Sequence, residues 1–293
     1  YDDEIEKDKK ISLYLAGDSQ TWGYSPLEKK FGTILETKLK KTVAACGVTN
    51  TGQLHQFDKF IEITEILGYF PETVVVSVVI NDIEDDFNYP NTTVYEGYLV
   101  GKASPIFRNE NGEFIKGKER SEDWIKKRFN KLKEGKTFSG VLKEYDPRRF
   151  SAIAIIIGSF LKKTSLRDKI YSCDKNTYVK RFKFCEFYKS RYPIDHQVAN
   201  NNKKIILEWI KHSKDNKYRL IFAMASNYFR PLNYSEDFCK LVIKNSSECY
   251  DFVNYVEDNG LNRYKLKWKN DGHFNHYGNK QYANFLLEIL NNK

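Results

Sequence analysis

Ser19 stands in the run Ala16-Gly17-Asp18-Ser19-Gln20-Thr21-Trp22-Gly23, and the other end of the chain carries Asn270-Asp271-Gly272-His273-Phe274-Asn275. A serine hydroxyl attacks a carbonyl carbon when an imidazole takes its proton, and a carboxylate beside the imidazole fixes its tautomer and orientation. Ser19, His273 and Asp271 are therefore candidates for nucleophile, general base and acid. Each segment also has a plainer reading. Gly-Asp-Ser serves as a turn or helix cap, and Asp-Gly serves as a turn beside a surface histidine.

The elements around these residues decide whether they can meet. Ile11-Ser-Leu-Tyr-Leu-Ala16 is short, apolar and β-branched or aromatic, which predicts a buried strand ending at Gly17-Asp18-Ser19. Leu27, Phe31, Ile34, Leu35 and Leu39 then recur at helical intervals, predicting a helix over 27–40. The unit repeats: a strand over Thr42 to Cys46, a turn from Gly47 to Gly52, and a helix from Leu54 to Leu67. Thr73-Val-Val-Val-Ser-Val-Val-Ile80 reads as a central parallel strand that stops at Asn81-Asp82. Such alternation points to a parallel sheet covered on both sides, whose carboxyl strand ends build the site.

From Asp85 to Arg149 the rhythm breaks, with Pro90, Pro105, Gly112 and Gly117 before a charged helix around Glu122 to Leu132. We read 1–293 as one catalytic domain with an insertion or lid over 86–149. Beyond it, Phe150 to Lys163 reads as a helix, with a short strand over Ile153 to Ile157 as the alternative. Asn202 to His212 suggests a crossover helix, Tyr218 to Met224 a core strand and Tyr277 to Leu290 a terminal helix, and the stretch Cys239 to Glu257 contains a further helix whose limits the pattern leaves open.

Composition narrows the class. Aromatics at 15% and apolar residues at 41% suffice for a substantial core, which excludes global disorder. The net charge of +9 comes from 48 Lys and Arg against 39 Asp and Glu, and suits an anionic polymer without choosing one. The runs Lys7 to Lys10, Lys38 to Lys41 and Lys126 to Lys133 read as solvated faces. No zinc-finger spacing, RNA-binding consensus or leucine heptad supports nucleic acid. The five cysteines lack metal-site spacing, so neither metal nor cofactor is expected; Cys173 with Cys185, or Cys239 with Cys249, could form local disulfides. No apolar stretch is longer than Ala152 to Ile157, which is too short to span a bilayer. A start on Tyr suggests a processed protein or an excised domain, which leaves a signal or a membrane domain elsewhere in the gene product open.

With these elements in place, the sequence resembles the SGNH hydrolases, also called the GDSL family, in four ordered blocks spread from Leu13 to Ala283. They are Gly17-Asp18-Ser19-Gln20-Thr21-Trp22-Gly23, Cys46-Gly47-Val48-Thr49-Asn50-Thr51-Gly52-Gln53, Asn81-Asp82, and Asp271-Gly272-His273 with Asn275 and Gly278. The resemblance implies a flavodoxin-like α/β/α three-layer sandwich with a central parallel sheet and hydrolysis or transfer of acyl groups. It implies an oxyanion hole of the Ser19 amide, the Asn81 side chain and an amide of the second block. The natural alignment puts Asn50 where the family has glycine, with Gly52 as the alternative donor; Asn tolerates unusual turn angles and keeps its N–H. Ile80 and Val79 replace a glycine common before the third block. Asp271 lies closer to His273 than in many relatives, so a Ser19–His273 dyad oriented by a backbone carbonyl stays open.

His276 reads as a helix-start histidine rather than a second base, and His55 as solvent-facing or as a substrate contact. Trp22, Tyr24, Tyr89 and Tyr95 fall in strand-end loops and could stack on sugar rings. The expectation is a serine esterase removing acetyl or another short acyl group from a carbohydrate. The alternatives are a polysaccharide O-acetyltransferase, linked to a membrane acyltransferase domain outside this chain, and a silent carbohydrate-binding domain. Expected partners are an acylated carbohydrate or acyl donor, an acidic polysaccharide among them. The expected place is extracellular, periplasmic or the secretory lumen, with the cytoplasm left open.

Overall fold

The computed structural model describes residues 10–90, 92–95, 98–101, 107–108, 114–133, 199–225, 233–268 and 272–292. The helix expected over Phe150 to Lys163 and the cysteines Cys173 and Cys185 lie outside them.

The main sheet has five strands: β1 (Leu13–Gly17), β2 (Val43–Gly47), β3 (Thr73–Val78), β8 (Arg219–Met224) and β9 (Glu248–Asp251). Their order is β2-β1-β3-β8-β9 and every pairing is parallel. This is the order of flavodoxin-like sheets, in which the chain switches direction between β1 and β3 and leaves a crevice at their carboxyl ends. Two small two-stranded sheets add β4 (Thr92–Tyr95) with β5 (Tyr98–Gly101) and β6 (Phe107–Arg108) with β7 (Phe114–Ile115).

The helices are α1 (Ser19–Trp22), α2 (Phe31–Leu39), α3 (Gln53–Leu67), α4 (Asp82–Phe87), α5 (Glu122–Lys133), α6 (Asn200–Asn216), α7 (Asn233–Lys244), α8 (Phe252–Asp258) and α9 (His276–Asn291). Alternation along the strands gives each face its own core. Tyr14, Ala16, Val74, Val76 and Phe222 pack with Phe60 of α3, Trp209 of α6 and Phe238 of α7. Leu13, Leu15, Val75, Ile221 and Ala223 pack with Phe31 of α2, Phe252 of α8 and Tyr282 of α9. The fold is thus a parallel sheet between two helical layers, as expected.

Two elements differ from the sequence reading. The helix expected over 27–40 splits into a 3-10 turn (Leu27–Lys29) and α2, because Lys30 between them adopts an extended conformation. The stretch from Cys239 to Glu257, expected to contain a further helix, holds the second half of α7, the edge strand β9 and most of α8 in turn. Glu248-Cys-Tyr-Asp251 has no apolar periodicity, and an edge strand buried on neither face needs none. A Cys239–Cys249 disulfide ties α7 to β9. Arg219 of β8 reaches Glu248 of β9 with Nε at 2.7 Å and an Nη at 2.8 Å, and donates to the carbonyls of Ile289 and Leu290. It thereby anchors the carboxyl end of α9, whose other end follows His273.

The chain divides into two compact units: Tyr1–Thr93, Gly101–Glu119 and Tyr192–Lys293 form one, Val94–Val100 and Arg120–Arg191 the other. In the second, α5 buries Ile125 and Phe129 one turn apart, and the Tyr95 ring packs edge-on against Phe129. Among the described residues no helix is long and apolar enough to cross a membrane.

Candidate active site

Ser19 opens α1 directly beyond β1. Close backbone approach makes this turn: a Cβ on Gly17 would lie 2.0 Å from Thr21 Oγ1, and one on Gly47 would lie 2.0 Å from Trp22 N. Gly23 ends the turn at φ +70°, a left-handed conformation that favours glycine. Asp18 caps the helix, its Oδ1 accepting from Gln20 N at 2.8 Å. Ser19 is half-buried at the first position of α1, where a helix amide has no intrahelical acceptor.

His273 lies in a loop closed by an antiparallel bridge between Lys267 and Phe274, with Trp268 N donating to the His273 carbonyl at 3.1 Å. The loop leads into α9, where Asn275 caps the helix by accepting from Gly278 N at 2.9 Å. Gly278 is required there, since a Cβ would lie 1.9 Å from Leu266 O. The outcome is a Ser19 Oγ to His273 Nε2 separation of 2.8 Å across 254 residues of sequence. That is hydrogen-bond range for proton transfer between a nucleophile and a general base. Asp271 lies outside the described residues.

Asn81, the residue before α4, carries its carboxamide into the same cluster. Its Nδ2 stands 3.2 Å from Asp18 Oδ2 and 3.2 Å from Asp85 Oδ2, and Asp18 Oδ2 is also 3.2 Å from Ser19 Oγ. The site therefore lies at the carboxyl ends of β1 and β3, the switch point of the sheet. Asn50 has φ +57°, the left-handed turn conformation that Asn accepts more readily than most residues. Gly52 precedes α3 for a steric reason: its Cβ would lie 2.2 Å from Asp86 Oδ1.

The aromatic candidates divide. Tyr24 is exposed and lays its ring 4.4 Å from the His273 imidazole, with Trp22 edge-on to Tyr24 at 5.0 Å. Lys30 places its ammonium 4.8 Å over the Trp22 ring. Tyr89 donates its hydroxyl to Asp58 on α3. His55 sits on the first turn of α3, where burial lowers the imidazole's proton affinity and Asp58 opposes that. His276 meets Ser25 Oγ at 3.2 Å and packs on Trp268, a helix-start histidine. Gln20, which the sequence reading passed over, bonds to the peptide groups on both sides of His273. Its only sequence signal is an amide side chain directly after the serine.

Three carboxyls, Asp18, Asp82 and Asp86, are wholly buried around this cluster. Burial pushes each one up, Asp86 to about 8; the amides of Gln20, Val79 and Leu54 respectively pull the other way. The resulting pH dependence has a definite sign. A carboxyl raised in the fold holds its proton where the unfolded chain has lost it, so its contribution is full below the ordinary carboxylate range and declines as pH rises towards about 8. One such proton is worth at most about 1.4 kcal/mol per pH unit. Asp86→Asn, neutral throughout, is expected to lose less melting temperature than the parent between mildly acid pH and about pH 8, followed by circular dichroism. An equal loss in both proteins would show that Asp86 is ionised in the fold.

Fold and geometry together define an α/β/α protein with a serine–histidine pair at the sheet's switch point. No family model and no curated protein matches the chain significantly. Among solved structures it is distantly similar to a candidate lipolytic protein of the G-D-S-L family from Desulfitobacterium hafniense DCB-2. Identity is 11%, coverage 96% of this chain and 99% of that chain, and the TM-score 0.46. None of the geometry above depends on that likeness.

Proposed function

We propose that the chain is a serine-dependent esterase that removes acetyl or another short acyl group from a carbohydrate. The observation that carries this reading is the 2.8 Å contact between Ser19 Oγ and His273 Nε2 at the end of β1. As Oγ attacks the ester carbonyl, its proton passes to Nε2. The carbonyl oxygen becomes an oxyanion facing the Ser19 amide and the Asn81 carboxamide, with an amide of Asn50 or Gly52 as the third donor. Collapse expels the sugar oxygen, which takes the proton from Nε2. Water, activated by the same nitrogen, then releases the acyl group from Ser19. Asp271 is the proposed acid that orients His273, following the SGNH resemblance.

Asn81 has both amide hydrogens near carboxylates at 3.2 Å, long contacts that an oxyanion can replace. Asn81→Ala is expected to lower kcat about 100-fold with little change in KM. Unchanged kcat in a folded variant would remove Asn81 from the mechanism.

Tyr24 and Trp22 support a sugar subsite, since an exposed ring beside the base offers a stacking face, and Lys30 with the net charge of +9 suits an anionic sugar. A sugar seated there would exclude water from His273, which supports the second reading: a sugar hydroxyl as acyl acceptor. The Cys239–Cys249 disulfide supports an exported location, where such bonds persist. Acetate release from 4-nitrophenyl acetate and from acetylated polysaccharides tests the proposal. Ser19-dependent release supports it, acetyl appearing on an added sugar acceptor favours transfer, and sugar binding with neither reaction favours a silent binding domain.

A further inference from the structure

We infer that Gln20 is the positioning residue that sets His273 against Ser19, an inference resting on the serine esterase reading. Gln20 is buried to 1% exposure and follows the serine directly in α1. Its Nε2 donates to Gly272 O at 3.2 Å and its Oε1 accepts from Phe274 N at 3.1 Å. Those are the carbonyl before His273 and the amide after it, so one carboxamide grips the backbone on both sides of the base. The backbone amide of Gln20 is held by Asp18 Oδ1 at 2.8 Å. One buried carboxamide thus grips the backbone of the base loop from the nucleophile turn, 254 residues away in sequence.

The grip requires a donor and an acceptor on one side chain. Gly272 offers an acceptor and Phe274 a donor, and only a group carrying one donor and one acceptor in a plane satisfies both. Methionine has neither, and an ionised glutamate lacks the donor. A protonated glutamate has both. Trp268 N donating to the His273 carbonyl and the Lys267–Phe274 bridge hold the loop to residues 267 and 268, and Gln20 holds its backbone to the nucleophile turn. Losing the Gln20 grip should let the imidazole drift from Oγ, and a misplacement of about 1 Å costs on the order of 100-fold in rate.

A purely structural glutamine would also satisfy buried peptide groups, and the test separates the two roles. Titration with a fluorophosphonate counts competent Ser19 sites, and the approach to saturation gives the rate per site. Positioning predicts that Gln20→Met keeps the number of sites in the folded protein while the rate per site and kcat for 4-nitrophenyl acetate fall about 30- to 100-fold, with KM changed less than about twofold. It also predicts that the ratio of the Gln20→Glu rate to the parental rate rises as pH falls, as the introduced carboxyl gains its donor. Fewer sites at an unchanged rate per site, or a flat ratio, would overturn it.

Should the parent neither turn over nor be labelled, the esterase reading fails while Gln20 remains testable. The ¹⁵N signal of His273 Nε2 reports its bond to Ser19. A shift in Gln20→Met towards the Ser19→Ala value supports positioning, and a signal unmoved from the parent's overturns it.

Discussion

Ser19→Ala is expected to lose hydrolysis of 4-nitrophenyl acetate by a factor of about 10⁴ or more, at matched folded concentration. The loss should be this large because no neighbouring group can replace the hydroxyl. Asp18 is the nearest other oxygen nucleophile, and it is wholly buried and held by Gln20 N and Asn81 Nδ2. A carboxylate so tied cannot turn towards a carbonyl in the crevice. Stability should fall by no more than about 1 to 2 kcal/mol, since the hydroxyl gives up one 2.8 Å bond to His273 and a long 3.2 Å contact with Asp18, which keeps its other partners. A variant that folds like the parent and retains more than a tenth of its activity would reject Ser19 as nucleophile.

His273→Gln is expected to be nearly as costly, about 10³-fold or more in kcat. Glutamine can still hydrogen-bond Ser19 Oγ but cannot take its proton at neutral pH, so binding survives and attack does not. Loss of kcat should therefore exceed any change in KM, and the imidazole limb of the pH–rate profile should vanish. His276 offers no substitute, because it faces Ser25 and Trp268 at the start of α9. A variant that keeps the parental pH profile would place the base elsewhere.

Much of this architecture is written in local residue types. The run Thr73 to Ile80 announces a buried central strand, and the glycines at 17 and 47 mark where α1 must approach the strand ends. Residues at the carboxyl ends of parallel strands share one edge of the sheet, so Ser19 and Asn81 are neighbours once the strand order is known. Strand β9 was not legible, because its residues lie at the sheet edge, half-buried along their length and without apolar alternation. The Tyr89 hydroxyl bonds Asp58, a partner the sequence does not reveal because it depends on how the chain folds back. Gln20 was illegible for the same reason: its two partners lie at the opposite end of the sequence. The same holds for Asp82 and Asp86, whose exposed-looking helix start, Asp82-Ile-Glu-Asp-Asp-Phe87, hides two wholly buried carboxyls.

The central claim is a covalent acyl group on Ser19, and trapping it is the most direct test. The full chain is mixed with excess 4-nitrophenyl acetate, quenched in acid within the first turnovers, digested and read by peptide mass spectrometry. Acetyl is expected on the peptide containing Ser19, accumulating with the nitrophenol burst and absent from Ser19→Ala. Steady turnover with Ser19 unmodified, or acetylation of the same peptide in Ser19→Ala, would contradict it.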